Sequence, residues 1–220
     1  MDNITSCASP FICLIRHGET EYSAARRYNG RTDIGLTSGG EQMGRGLAPV
    51  LGLVPWEAVL CSDLRRARHM AELAGFESPR LLEALRECDY GEYEGKTTEE
   101  ILALRPGWDF WVDGCPQGEN PEMVANRLRP LLRVLMGSGG RVLVFSHSHI
   151  IRILAALLVG LPPDRGVIFS LEPGRLNIVR LHRGRAEVAL WNDGQHIPVI
   201  RDIGPGLGAS VVPPGFQVSR

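Results

Sequence analysis

The chain has 220 residues, 44% of them hydrophobic and 22% charged, the balance of a soluble globular protein with material for one core rather than a disordered chain. A formal net charge of −1 excludes a global basic field that would capture nucleic acid or an anionic membrane. Lys96 is the one lysine among 24 basic residues, so the chain is rich in planar guanidinium forks suited to carboxylates and phosphates.

Residues 11–15 (FICLI), bounded by Pro10 and polar residues, predict a short buried strand. A polar stretch covers 16–36. A helix is expected from Thr37 or Ser38, where Ser38 and Glu41 have capping-box spacing, to about Leu51. Residues 57–61 predict a second strand, and Ser62 or Asp63 stands where it can cap a helix over 64–73. A third, shorter strand is expected over 80–85. Thr97 and Glu100 form another capping box, opening a helix to Leu104 that Pro106 stops. Residues 108–113 predict a helical turn, and 122–136 a helix kinked at Pro130. The run 141–145 (RVLVF) predicts a strand and 150–159 a buried helix. Residues 175–181 and 185–191 are expected to pair around a turn at Gly184. Residues 1–195 are expected to form one domain and the proline- and glycine-rich 196–220 a tail. Alternating strands and helices imply an α/β fold: a three-layer α/β/α sandwich with a mostly parallel central sheet.

The cysteines are Cys7, Cys13, Cys61, Cys88 and Cys115. Their odd number and the lack of CxxC spacing argue against a disulfide framework or a zinc site. Residues 1–10 have neither the basic nor the apolar segment of a secretory signal. The most apolar run, 150–161, is short for a bilayer and carries Arg152. A cytoplasmic location is expected, with no membrane or nucleic-acid partner; a homodimer stays open.

In parallel α/β sheets, sites form beyond the carboxyl ends of strands. Three such places carry chemistry here: Arg16-His17-Gly18-Glu19-Thr20, Ser62-Asp63-Leu64-Arg65-Arg66-Ala67, and Ser146-His147-Ser148-His149. A fourth segment, Leu85-Arg86-Glu87-Cys88-Asp89-Tyr90-Gly91, adds acids beside a glycine turn. Each alone has a structural reading, and Arg65 and Arg68 are expected on a solvated helix face. Together they suit phosphoryl transfer. Neutral imidazole is a nucleophile near pH 7. Arginine forks bind phosphoryl oxygens and stabilise transition-state charge. A second, protonated histidine would add a donor, and a protonated glutamate would give its proton to a departing alkoxide. Where cationic side chains neutralise the phosphoryl group, neither metal nor cofactor is required; the expected partner is a small phosphorylated metabolite.

The run Leu14-Ile15-Arg16-His17-Gly18-Glu19-Thr20, with the other three segments in order, resembles the histidine phosphatase superfamily in its phosphoglycerate-mutase-like branch. The resemblance spans roughly 11–191 and implies the same α/β fold. It implies that His17 becomes phosphorylated, that Arg16, Arg66 and His147 bind phosphate, and that Glu87 is the proton donor. It places Asn29, Gly30, Tyr90 and Arg152 on the substrate side. Ser23 stands where many members have asparagine, and its hydroxyl is expected to donate to phosphate. Ser148 stands where many have glycine, so its side chain must either turn away or help. His149 is either a substrate contact or the first turn of a helix with no catalytic task.

The function implied is hydrolysis of a small phosphomonoester, with a sugar phosphate as the expected class. The runs Tyr22-Ser23, 89–95 and 113–119 are similar to small acid phosphatases and to sedoheptulose bisphosphatase within the superfamily. Trp108 and Trp111 either wall the pocket or pack in the core. A cofactor-dependent mutase is the second reading: Lys96 lies near, but out of register with, the lysine such mutases carry, and their arginine pair has no counterpart in 108–115. A catalytically inactive phosphate-binding member is the third.

Overall fold

A computed structural model describes residues 10–182 and 184–194. Its centre is a six-stranded sheet in the order β3-β2-β4-β1-β5-β6. Strands β1 (Phe11–Arg16), β2 (Ala58–Cys61), β3 (Arg80–Leu81) and β4 (Arg141–Ser146) are parallel, whereas β5 (Leu176–His182) and β6 (Arg185–Asp193) run antiparallel at one edge. Side chains alternate across a strand. Phe11, Cys13 and Ile15 therefore pack on one face with Leu47, Leu51 and Met70, from helices α2 (Ser38–Leu51) and α3 (Arg65–Leu73). Ile12 and Leu14 pack on the other with Leu128 and Leu154, from α6 (Pro121–Met136) and α7 (Ser148–Leu158). Both faces being covered explains why β1 is an unbroken apolar run.

Most predicted elements form within a residue or two of their expected ends. The exceptions have local causes. Only Arg80–Leu81 is strand; the 3-10 turn Glu83–Leu85 then swings the chain back towards the sheet's carboxyl edge. Helix α2 is capped by the Thr37 hydroxyl, which accepts from Gly40 N at 3.1 Å, so the Ser38–Glu41 box does not form. Neither Ser62 nor Asp63 caps α3. Leu64 occupies that position, and Arg65 N donates to Asp33 Oδ1 at 2.7 Å. The polar stretch contains a single turn, α1 (Glu21–Ala24), closed by a reciprocal Thr20–Ser23 capping box. Helices α4 (Thr98–Leu104) and α5 (Phe110–Asp113) lie close to expectation, α4 on its Thr97–Glu100 box. The 3-10 segment Pro163–Ile168 follows α7 and was not foreseen. Pro130 sits inside α6. The expected tail lies outside the described residues.

Cys13, Cys61, Cys88 and Cys115 are free thiols. Among the described residues, no helix is long and apolar enough to cross a membrane.

Sheet register sets the site. Arg16 pairs with Ser146 across β1 and β4, and Cys61 with Phe145 across β2 and β4. His17 and His147 therefore leave neighbouring strands at one level, with His17 N donating to Ser146 O at 3.0 Å.

Candidate active site

His17 follows the last residue of β1 and is 6% exposed. Its Nδ1 lies 2.7 Å from Gly18 O. A carbonyl only accepts, so Nδ1 carries the hydrogen and Nε2 keeps its lone pair. Burial, then Arg66 and Arg16, hold the ring well below the usual 6.5, and it is neutral. The loop after β1 lies against the first turn of α2. A Cβ on Gly18 would collide with Gly40 O, and one on Gly40 with Glu19 O. Glycine at both positions lets the two backbones meet.

Arg66, on the first turn of α3, is fully buried. Its Nη1 donates to Thr32 O at 3.1 Å, and its Nη2 to Asn29 O and Gly30 O at 3.0 and 3.1 Å. Glu94 grips the same loop through Gly30 N and Thr32 N. Arg16 Nη1 donates to Leu171 O at 2.8 Å. His147 Nε2 lies 2.8 Å from Ser62 Oγ, which accepts from Leu64 N. The Ser62 hydroxyl hydrogen finds His147 Nε2 as its acceptor, leaving Nδ1–H as a donor. Burial and Arg66 keep this ring neutral as well. The second histidine therefore offers a donor through its tautomer, not through the protonation expected from sequence.

Among the described residues, the fully buried side-chain polar atoms without a partner are Arg16 Nε, Arg66 Nε, His147 Nδ1 and both polar atoms of Asn29. Buried polar groups are nearly always paired. Here the unpaired ones all belong to the predicted site, and four of the five are donors, as an anion requires.

Glu87 is 4% exposed. Its Oε1 accepts from Cys88 N at 3.0 Å and from Ile150 N at 3.4 Å, and its Oε2 from His149 N at 3.3 Å. Burial outweighs these donors and pushes the carboxyl above its ordinary 4.5. Arg127 on α6 pins the segment, donating to Ala84 O and Glu87 O while paired with Glu119. Ser146 Oγ adds a 2.7 Å bond to Leu85 O.

These groups surround an open hollow of about 280 Å³, lined among others by Arg16, His17, Asn29, Glu87 and Tyr90. The His17 and His147 ring centroids are 5.1 Å apart. Arg66 and His147 stand behind the lining. Ser23 and Ser148 line it, but the Ser23 hydroxyl donates to Thr20 O and accepts from Thr20 N, so it serves the α1 cap, not the hollow. Gly30 contributes through its backbone, held by Arg66 and Glu94. Arg152 does not line the hollow: it donates to Gly166 O and Val167 O and covers the Trp111 ring at 4.5 Å. Trp108 and Trp111 pack behind the wall, Trp108 on Tyr28 and Trp111 on His149. Arg65 and Arg68 are exposed, as expected.

Sequence reasoning missed Ser62, Glu94, Tyr28 and the rim residues Arg26, Arg27 and Thr98. Ser62 opens a segment already singled out, so its place beside β4 was the available signal. Glu87, Cys88 and His149 each bring one possible metal-ligand atom within 4.8 Å of the others. They do not fit a metal: both Glu87 oxygens already accept from backbone N–H groups, and burial keeps Cys88 a thiol where ligation needs thiolate.

Fold and site define a phosphoric monoester hydrolase. The pattern of the histidine phosphatase superfamily (branch 1) matches residues 12–194, and the chain belongs to that superfamily. It is 33% identical over 183 residues to an acid phosphatase of Mycobacterium tuberculosis, covering 81% of this chain and 90% of that one. It is 33% identical to sedoheptulose 1,7-bisphosphatase of Saccharomyces cerevisiae, over 70% and 69% of the two chains. A protein named as a probable phosphoglycerate mutase of Serratia proteamaculans is 33% identical too, over 69% and 75%. A solved structure of a Mycobacterium tuberculosis open reading frame superposes with a TM-score of 0.78 at 33% identity, covering 83% of this chain and 96% of that one.

Proposed function

We propose that the chain hydrolyses small phosphomonoesters, sugar phosphates among them, through a phosphohistidine on His17 and without a metal ion. The observation that carries this reading is the set of unpaired buried polar atoms around a neutral imidazole whose Nε2 lone pair is free. Arg16, Arg66 and His147 hold the phosphoryl oxygens. Nε2 attacks phosphorus, the P–O bond breaks, and the leaving alkoxide takes its proton from Glu87. Water then attacks the phosphoryl group and gives a proton to the Glu87 carboxylate, while the P–Nε2 bond breaks and inorganic phosphate leaves. This regenerates the acid and the neutral ring. Two guanidinium groups supply the charge neutralisation that a metal would otherwise give.

A hollow of about 280 Å³ suits a small substrate. Relatives named as acid and sugar-bisphosphate phosphatases support the same class. A mutase must retain a second anionic group. Lys96 lies outside the lining, and Arg27 at the rim is already bonded to Gly95 O and Glu100. Hydrolysis is the stronger reading for that reason. The inactive phosphate-binding reading accounts for the donors but leaves a neutral His17 and a Glu87 with a raised pKa beside them without a task.

The test is p-nitrophenyl phosphate turnover after dialysis against EDTA, with trapping of the phosphoenzyme. Activity is expected to persist, with an acid-labile, base-stable phosphoryl group on wild type and none on His17→Ala. Substantial turnover by His17→Ala would overturn the assignment.

A further inference from the structure

We infer that His149 is a specificity-determining residue whose Nε2–H donates to a second oxygen of the leaving alcohol, so that phosphates of polyhydroxylated alcohols are preferred to those of plain alkanols. This rests on the phosphatase reading above. His149 is the second residue of α7, 8% exposed, and lines the hollow. Its backbone N–H holds Glu87 Oε2, and a ring nitrogen lies within 4.8 Å of a Glu87 oxygen. The ring therefore sits beside the acid, on the side where the leaving oxygen must be.

Its tautomer is fixed. Tyr90 Oη lies 2.6 Å from His149 Nδ1. Among the described residues the Tyr90 hydroxyl has no other acceptor, so Nδ1 accepts and Nε2 carries the hydrogen. That Nε2–H has no partner there, and it is not among the fully buried unpaired atoms. Burial and Arg152 hold the ring well below 6.5. A single neutral N–H beside the acid is sufficient for a hydroxyl or carbonyl oxygen of the alcohol and adds no charge for a second anion.

The ring is also immobile. Phe110 and Trp111 pack on it at centroid distances of 4.2 and 5.1 Å, and Tyr28 lies nearly parallel at 6.3 Å. A donor fixed in this way spends little entropy on binding. A site built to bond a hydroxyl discriminates against analogues that lack it.

The experiment compares kcat/KM for ribose 5-phosphate and n-pentyl phosphate, both primary alkyl esters, in wild type, His149→Phe and His149→Gln. Wild type is expected to prefer ribose 5-phosphate, His149→Phe to lower the ratio by about tenfold, and His149→Gln, which keeps an N–H donor, to restore most of it. Equal losses on both esters in His149→Phe would mean a structural role and overturn the inference. So would a wild type that cleaves p-nitrophenyl phosphate but shows no preference for ribose 5-phosphate; the phosphatase reading would then stand. A wild type inert towards every phosphomonoester would end both.

Discussion

Glu87 and His17 have ordinary titration points in the wrong order for their proposed tasks. An unperturbed glutamate loses its proton near 4.5, and an unperturbed histidine is still gaining one at 6.5. Few molecules would hold the acid and the free base together. Burial moves both in the useful direction, the carboxyl up and the imidazole down, and the flanking arginines push the imidazole further. Glu87 works protonated, so the rate falls as pH rises through its raised pKa. His17 works neutral, so the rate falls as pH drops through its lowered one. A bell-shaped kcat/KM profile is expected with alkyl phosphates. In Glu87→Gln the alkaline limb should vanish and alkyl phosphates should slow by about 10²–10⁴-fold. p-Nitrophenyl phosphate should suffer far less, because nitrophenolate departs without a proton. Matching losses on the two substrates would remove Glu87 from the acid's role.

At the scale of elements, the close approach of α2 to the loop after β1 gives a paired test. Gly40→Ala places a methyl against the backbone of Glu19, which cannot yield as a flexible side chain would. A loss of about 1–3 kcal/mol is expected from urea denaturation, with lower kcat because the moved loop carries His17. Gly46, on the same helix, has nothing within 4 Å of an added Cβ. Gly46→Ala should stabilise by about 0.5–1 kcal/mol through helix propensity alone. Destabilisation by both substitutions would point to α2 itself, not to the contact. The same elements mark what sequence could convey. Apolar runs and capping boxes located β1, β4, α4 and α7, since those signals are local. The early end of β3 was hidden, because residues 82–85 still resemble a strand while the fold needs a turn there to return Glu87 to the sheet edge. Thr37 took the α2 cap because its own backbone N–H donates to Glu19 O, a contact between segments with no trace in the spacing.

For the whole molecule, the cradle predicts linkage between anion binding and stability. Orthovanadate, a mimic of the pentacoordinate phosphoryl group, should raise the thermal midpoint. At a hundredfold excess over Kd the gain is about 2.7 kcal/mol, read as an upward shift of several degrees by calorimetry. A midpoint that ignores vanadate would mean the unpaired donors do not meet in one site. Sequence foretold which segments converge, because strand-end chemistry follows from an α/β sheet. It did not foretell that Ser23 would close its own helix cap, that Arg152 would turn to Gly166 and Val167, or that Arg66 would bind the carbonyls of Asn29, Gly30 and Thr32. Each depends on which partner a polar group reaches first, and spacing along the chain does not encode that.

The level pairing of Arg16 with Ser146 carries a consequence for biosynthesis. His17 and His147 lie far apart along the chain and meet only across the central strand pair. A ribosome-bound chain that has not yet released β4 holds His17 but no hollow around it. Turnover therefore begins late and all at once, and its recovery during refolding times the closing of the sheet's middle.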